Sequence, residues 1–185
     1  MSVTIKNPNM VHLEYKHLEG DVPHGGCRVA RFSFNLDRYE LSIISDCGEY
    51  GHKWIETPDT ETFMELMSRI NKDYFIRAVY GCEDIFDFEA TRDSFLAWAK
   101  DEFAWQERYD ELVDFFKDTC TCPDDPRDFV DAVARSFPEF DAYEIWGFIT
   151  KVYSPNILAL ADVFESEIQP FIKQHFLQED VSHGI

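Results

Sequence analysis

Residues 27–45, CRVARFSFNLDRYELSIIS, contain the pattern that decides the fold. Apolar and more polar residues alternate along both halves of this stretch, which is the period of a half-buried β-strand. Residues 35–38 separate the halves and are rich in turn-forming side chains. The apolar members of the alternation are Ala30, Phe32, Phe34, Tyr39, Leu41 and Ile43. The stretch therefore predicts a β-hairpin with one apolar face.

The segments on either side of the hairpin extend it. Tyr50–Ile55 is interpreted as a third strand, so we expect a meander of about three strands over residues 27–56. Residues 1–26 are rich in Gly and Pro and predict an irregular arm, with room for one short strand near Val11–Tyr15. Because one face of such a sheet is apolar, helices must cover it.

Apolar residues spaced three and four apart predict these helices within residues 59–177. Asp59 or Thr60 is expected to cap the first helix, and Asp87 to begin a longer one. Pro170 is expected to bend or end the last helix. The stripes are Phe63, Leu66, Met67 and Ile70; Phe88, Phe95, Trp98 and Ala99; Tyr109, Leu112, Val113 and Phe116; Phe129, Val130 and Val133; Ile145, Trp146 and Ile149; and Ile157, Leu160, Ala161, Phe164 and Ile168.

Chain length and composition bound the fold class. The 185 residues are 45% hydrophobic and 16% aromatic, which is enough apolar material for a core without a cofactor. We therefore expect one α+β domain, in which a small N-terminal antiparallel meander packs against a mostly helical C-terminal part. Residues 178–185 are expected to form a tail.

The charge balance restricts the partners. The chain has 36 acidic residues against 17 Lys and Arg, which gives a formal net charge of −19. Such a surplus repels phosphate backbones and anionic membrane surfaces, so direct binding to nucleic acid or membrane is disfavoured. A partner recognised through charge should be basic, and a homodimer stays open as an alternative.

Targeting signals and cysteine usage indicate the compartment. The first ten residues lack a basic segment leading into an apolar run, and no eighteen consecutive residues are apolar, so we expect a cytoplasmic protein. The cysteines are odd in number and scattered, which is typical of reduced thiols. They are Cys27, Cys47, Cys82, Cys120 and Cys122.

Two cysteine patterns are candidate sites. Cys120 and Cys122 resemble half of a zinc site, but no second close Cys or His pair follows, and free thiols in a loop explain them more simply. Cys47 and His52 contain the groups of a nucleophile and its base, yet no orienting third group can be located. A glycine-containing turn between strands accounts for that segment.

A group of acidic residues at 83–89 favours an alternative function. Glu83, Asp84, Asp87 and Glu89 offer the carboxylate oxygens with which metal-dependent hydrolases and nucleases bind divalent cations. Asp87 already has a capping role at a helix start, and no acidic-x-Lys strand completes a nuclease motif. We therefore expect no bound metal or cofactor as the first interpretation.

The acidic residues with helical spacing form the main candidate for a binding site. Glu107, Glu111, Asp114 and Asp118 should line one exposed face, with successive charges about 6 Å apart. Such a face can occupy a basic nucleic-acid groove as a decoy, or can be a merely solvated surface. The negative region is widened by Asp101, Glu102, Asp110, Asp124, Asp125, Asp128 and Asp131.

Several motifs resemble a known group of proteins. They are residues 39–44 (YELSII), Trp54, Asp73-Tyr74-Phe75, and residues 84–91 (DIFDFEAT). This pattern, over about Arg28–Phe95, resembles small tailed-phage and prophage proteins of unknown function. The resemblance implies action inside a bacterium, where small acidic phage proteins inhibit host nucleic-acid enzymes. It brings no catalytic residues.

These observations lead to a hypothesis of function. The chain is expected to be a non-enzymatic phage-type protein that inhibits a host nucleic-acid-targeting defence enzyme, as an anti-CRISPR or anti-restriction protein, through its acidic face. The expected contact residues are Glu107, Asp110, Glu111, Asp114, Asp118, Asp124 and Asp125. A metal-dependent hydrolase and a structural or regulatory phage protein are the alternatives.

Overall fold

The structure, a computed structural model, describes residues 9–17, 20, 26–55, 61–102, 106–120 and 123–177, without the side chains of residues 102, 106 and 107. The chain divides into two compact units. The first, called here the sheet unit, comprises Met1–Cys82 and Ser154–Ile185, and the second, the helical unit, comprises Glu83–Tyr153. The expectation of a single domain stays a prediction, because compactness alone does not decide whether the two units unfold together.

The sheet unit contains a four-stranded antiparallel meander in the order β1-β2-β3-β4. The strands are β1 Met10–Lys16, β2 Val29–Asn35, β3 Glu40–Ser45 and β4 Gly48–Lys53. The predicted α+β class, with a sheet at the N-terminus and mostly helices after it, is confirmed. The strand count is one higher than expected, because β1 is a full seven-residue strand paired along its whole length with β2.

The alternation in residues 27–45 produces the buried face of this sheet. Leu13, Phe32 and Ile43 lie opposite one another across β1, β2 and β3 and are buried. The Phe164 ring lies 5.9 Å from Phe32 and stacks on Phe75 at 4.1 Å. Burial of each such side chain stabilises the fold by about 1.5–3 kcal/mol, so this apolar contact fixes the register of the strands.

Two short helices follow the sheet. They are α1 Phe63–Arg69 and α2 Lys72–Val79. The prediction that Asp59 or Thr60 caps α1 is wrong: Thr62 is the N-cap, and it forms a capping box in which its hydroxyl accepts from the Glu65 N–H while the Glu65 carboxylate accepts from the Thr62 N–H. The reciprocal pair satisfies two helix-terminal donors, which a cap without a Glu three residues on cannot do.

The helical unit contains four helices and a short sheet among its described residues. The helices are α3 Phe88–Glu102, α4 Gln106–Asp118, α5 Pro126–Ser136 and α6 Ala142–Trp146, and the strands are β5 Ile85–Phe86 and β6 Lys151–Val152. Asp87 begins α3 as predicted, since its carboxylate accepts from the Ala90 N–H at 2.9 Å. The core is aromatic, with Phe95 surrounded by the rings of Phe116, Phe129, Phe140 and Phe148.

The last helices return to the sheet unit. They are α7 Pro155–Val163 and α8 Gln169–Phe176, joined by a π-helical turn at Phe164–Ile168. The Gln169 N–H donates to the Phe164 carbonyl, five residues earlier. Pro170 therefore neither ends the helix nor interrupts a regular ladder, because the pattern has already changed in the preceding turn. Residues 178–185, the predicted tail, lie outside the described residues.

Candidate protein-interaction surface

The negative charge of the chain is unevenly divided between the two units. The helical unit has 19 Asp and Glu against 7 Lys and Arg, a net charge of −12, whereas the sheet unit has 17 against 10, a net charge of −7. The helical unit comprises fewer residues and has the larger surplus. A positively charged molecule is therefore attracted more strongly to the helical unit than to the sheet unit.

A groove of about 710 Å³ opens on the helical unit, where β5 and β6 meet the start of α3 and the start of α5. Its charged side chains are five carboxylates and two cations: Asp84, Asp87, Glu89, Asp124, Asp125, Arg92 and Lys151. We call this feature the acidic groove. Asp124 and Asp125 belong to the predicted contact residues, and the structure places them here rather than beside α4.

Two of the five carboxylates have a structural role. Asp87 caps α3, and Asp125 caps α5 by accepting from the Arg127 N–H at 2.7 Å. The positive ends of the two helix dipoles offset part of these charges. Glu89 and Asp124, which are exposed, have no capping role and contribute negative charge that a partner can meet.

One of the two cations of the groove, Arg92, is already paired with groups of the protein. The Arg92 guanidinium binds the Asp93 carboxylate at 2.7 Å and lies 5.7 Å from the centre of the Phe88 ring. That arrangement holds Arg92 against the protein itself. The groove therefore stays negative despite its two cations.

The acidic groove also has an apolar part. Ile85 and Val152 are paired across β5 and β6 and are 44% and 38% exposed. Exposed aliphatic side chains surrounded by charge are typical of contact surfaces, where apolar anchors supply binding energy and charges direct the approach. The groove thus combines the two components of a protein-binding site.

Three of the four residues of the predicted acidic stripe on α4 have described side chains, and these are exposed but partly neutralised. Glu111, Asp114 and Asp118 are exposed on α4, and so is Asp110. Arg108 forms an ion pair with Glu111 at 3.5 Å, and Lys117 with Asp114 at 3.2 Å. The Glu107 side chain lies outside the described residues.

The opposite side of α4 is packed as the sequence indicates. Leu112 and Phe116 are buried, while Tyr109 and Val113 are half-buried. Arg108 also pairs with Glu139 on the segment before α6. The ion pairs of Arg108 and Lys117 favour the interpretation of the stripe as a solvated face whose charges are partly compensated. They do not favour that interpretation of the acidic groove to the same extent.

Of the two predicted cysteine patterns, the Cys47–His52 pair lies wholly within the described residues, and its side chains are not brought together. Cys120 is buried at the end of α4, where burial raises the pKa of its thiol, and Cys122 lies outside the described residues. Cys47 lies in the turn before β4, whereas the His52 ring packs edge-on against Trp54 at 4.4 Å near the other end of that strand. A buried thiol with a raised pKa is a poor nucleophile.

The acidic residues at 83–89 do not converge on a point. Among the described residues, one group of three side chains has its donor atoms close enough to share a metal ion, and it is formed by Cys27, Asp46 and Cys47 in the sheet unit. Asp87 is committed to its capping bond.

Sequence reasoning missed the residues that complete the acidic groove. Ile85 belongs to the motif at residues 84–91, and no motif includes Lys151 or Val152. The pairing of Ile85 with Val152 joins residues far apart in the chain, so no local pattern reveals it. The enrichment of residues 149–153 (ITKVY) in β-branched and aromatic side chains is a local signal for a strand.

The structure defines an α+β protein with an acidic groove on its helical unit. A family model described as a phage family, Phage_phiTE_072, matches residues 4–174, so the chain belongs to this phage family. The resemblance to phage proteins of unknown function is thereby confirmed. Neither a curated protein nor a solved structure matches the chain. Within the described part of the chain, no helix has the length and apolar character needed to span a bilayer.

Proposed function

We propose that the chain is a phage-encoded binding protein that inhibits a host nucleic-acid-targeting defence enzyme by occupying a basic surface of that enzyme. The observation that carries this proposal is the acidic groove, where five carboxylates surround the exposed Ile85–Val152 pair. Enzymes that act on nucleic acid have Lys and Arg where the phosphates bind. An acidic protein that binds there blocks the substrate.

Charge and apolar contact have separate roles in this proposal. The net charge of −12 on the helical unit speeds association with a cationic surface and makes the association sensitive to salt. The exposed Ile85 and Val152 side chains supply anchors that keep the complex together once it has formed. The proposal extends the expected contact region from the α4 stripe to the acidic groove, with Asp124 and Asp125 common to both.

The test is affinity capture from a bacterial lysate at about 50 mM and about 500 mM salt, followed by direct binding to the captured protein. Two variants carry matched charge changes. Glu89→Lys with Asp124→Lys alters the acidic groove, and Glu49→Lys with Glu165→Lys alters exposed sites of the sheet unit. A third variant reverses Glu107, Glu111, Asp114 and Asp118.

The proposal predicts capture of a basic nucleic-acid enzyme at low salt and weaker capture at high salt. The groove variant should bind at least about tenfold more weakly, and the sheet-unit variant within about twofold of the wild type. An effect of the α4 variant alone would return the contact region to the stripe. Equal losses in the groove and sheet-unit variants would contradict a localised site and indicate a response to total charge.

A further inference from the structure

Two cysteines and one aspartate meet at one end of the meander in the sheet unit. Cys27 lies two residues before the start of β2, and Asp46 and Cys47 form the turn between β3 and β4. The Asp46 N–H donates to the Val29 carbonyl at 3.1 Å, so the pairing of β2 with β3 continues into this turn. The two thiol sulfurs and a carboxylate oxygen lie within 4.8 Å of one another.

The Asp46 carboxylate is fixed by the backbone of the neighbouring strand. Its oxygens accept from the Arg28 N–H at 3.0 and 3.2 Å and from the Val29 N–H at 3.2 Å. Hydrogen bonds of this kind orient a metal-binding carboxylate before the ion arrives. The Cys27 thiol, in turn, lies 3.6 Å from the same carboxylate.

The turn that contains Cys47 is held from its other side. The Cys47 N–H donates to the Ser45 hydroxyl at 3.2 Å, and the Tyr50 hydroxyl donates to the Cys47 carbonyl at 2.7 Å. Gly48 next to it has a φ of +123°, and a Cβ there would come within 2.7 Å of the Tyr50 hydroxyl. The Asp46-Cys47-Gly48 turn is therefore closely determined by its surroundings.

Burial and distances suit a metal ion. Cys27 is fully buried and Cys47 is 5% exposed, while Asp46 is exposed and leaves one side of the group accessible to solvent. With a zinc–sulfur distance of about 2.3 Å and a zinc–oxygen distance of about 2.0 Å, tetrahedral geometry places sulfur and oxygen about 3.5 Å apart. The observed 3.6 Å between Cys27 and Asp46 fits that separation.

We propose that Cys27, Asp46 and Cys47 form a zinc-binding site. Thiolate ligands select a soft or borderline ion such as Zn²⁺ over Mg²⁺ or Ca²⁺, and three protein ligands leave a fourth position for water or an external ligand. On binding, the ion replaces the two thiol protons, which pass to the buffer. The site clamps the segment before β2 to the β3–β4 turn. It is independent of the acidic groove, which belongs to the other unit.

The test uses the full-length, reduced, metal-free protein and Co²⁺, whose thiolate complexes absorb in the near ultraviolet. The proposal predicts one Co²⁺ per chain, a charge-transfer band with the intensity of two thiolates, and displacement of the band by Zn²⁺. Zn²⁺ should also raise the melting temperature. Cys27→Ser and Cys47→Ser should each weaken metal binding by at least about hundredfold.

Cys120→Ser is the matched control, because Cys120 is a buried thiol of the helical unit and should leave the cobalt band unchanged. If the serine variants fail to fold, the wild-type band, its stoichiometry and its displacement by Zn²⁺ still decide the matter. Reduced wild-type protein that binds neither ion overturns the proposal, also where the protein was purified with a Cys27–Cys47 disulfide and then reduced. A band that survives in Cys27→Ser and Cys47→Ser also overturns it.

Discussion

The sheet unit and the helical unit both use carboxylates in ion pairs and helix caps, but they differ in the net charge that remains. In the sheet unit, acidic residues are often paired or capping, as Glu14 is with Arg31, Glu61 with Arg69, and Glu65 with Thr62. In the helical unit, acidic residues outnumber basic ones by 12, so most of them have no cation available within the unit. The comparison teaches that ion pairs and helix caps use part of the acidic residues in both units and leave the larger surplus of negative surface charge in the helical unit.

The cores of the units differ as well. The sheet unit buries one alternating face against helices, and its interior includes a polar tie, Gln169. The core of the helical unit contains six buried Phe rings in contact with one another, together with five buried aliphatic side chains. Different substitutions should therefore lower the stability of the two units. Partner binding should respond only to substitutions in the helical unit, where the acidic groove lies.

The largest expected effect is at the centre of the aromatic core. Phe129 is fully buried and stacks on Phe116 at 5.6 Å, so Phe129→Ala should lower the free energy of unfolding by about 3–5 kcal/mol. Urea unfolding measures the change. Tyr143→Ala is the control, since Tyr143 is 85% exposed and its loss should cost less than about 0.5 kcal/mol. Similar losses in both variants would contradict this description of the core.

A smaller effect is expected at the polar tie of the sheet unit. The buried Gln169 side chain donates to the carbonyls of Met67 at 2.9 Å and Ile70 at 2.7 Å, and so joins the start of α8 to the end of α1. Gln169→Met keeps the size but leaves both carbonyls without that donor, which should cost about 2 kcal/mol. Gln174→Met, at an exposed site of α8, should be neutral in the same thermal or urea unfolding experiment.

Substitutions at Asp125 distinguish the capping role of this carboxylate from the effect of its negative charge on binding. Asp125→Ala removes the cap of α5 and should cost about 1 kcal/mol of stability, whereas Asp125→Asn keeps a capping oxygen and should preserve stability. Both variants remove negative charge from the acidic groove, so both should bind the captured partner more weakly. Thr62→Ala should cost about as much stability as Asp125→Ala but leave binding unchanged. Normal binding by Asp125→Asn would show that this charge is irrelevant to recognition.

The smallest effect is a pH dependence in the sheet unit. The Arg69 guanidinium lowers the pKa of Glu61, and the Thr62 N–H lowers the pKa of Glu65, each below the ordinary value for a glutamate. A carboxylate with a lowered folded-state pKa contributes stability above its unfolded pKa, and that contribution is lost as the pH falls through the folded pKa. The urea concentration at the midpoint of unfolding should therefore decrease slightly when the pH is lowered below about 4.5.

Glu65→Gln keeps the capping geometry and should reduce this acid sensitivity, whereas Glu49→Gln at an exposed strand position should not. Both carboxylates are half-buried and their partners Arg69 and Thr62 are exposed, so solvent screening keeps the expected change small. An acid dependence that is the same in Glu65→Gln and the wild type would assign it to other groups.

The sequence predicted local features well, because local patterns determine them. The alternation of Phe32 and Phe34 identified the buried sheet face, and Asp87 was correctly placed as a helix cap. The cap of α1 is also visible in the sequence, since Thr62-Phe63-Met64-Glu65 has the spacing of a capping box, whereas Asp59 and Thr60 have no Glu or Gln three positions on.

The candidate sites could not be predicted in the same way, because pairing between distant segments creates them. The acidic groove requires Ile85 to pair with Val152. The proposed zinc site requires the register of β2 and β3, because this register brings Cys27 close to Cys47 in a tertiary contact. Charge spacing on α4 predicted an acidic face but not the cations Arg108 and Lys117 that partly neutralise it.

The most direct test of the central claim, that the acidic groove and not total charge gives the chain its activity, is a plating assay. Bacteria with an active restriction or CRISPR system would express the wild type, Glu89→Lys with Asp124→Lys, or Glu49→Lys with Glu165→Lys, and would be challenged with a targeted phage. We predict that the wild type and the sheet-unit variant restore plaque formation and that the groove variant does not. Restoration by the groove variant, or none by the wild type in any defence system tested, would contradict the account.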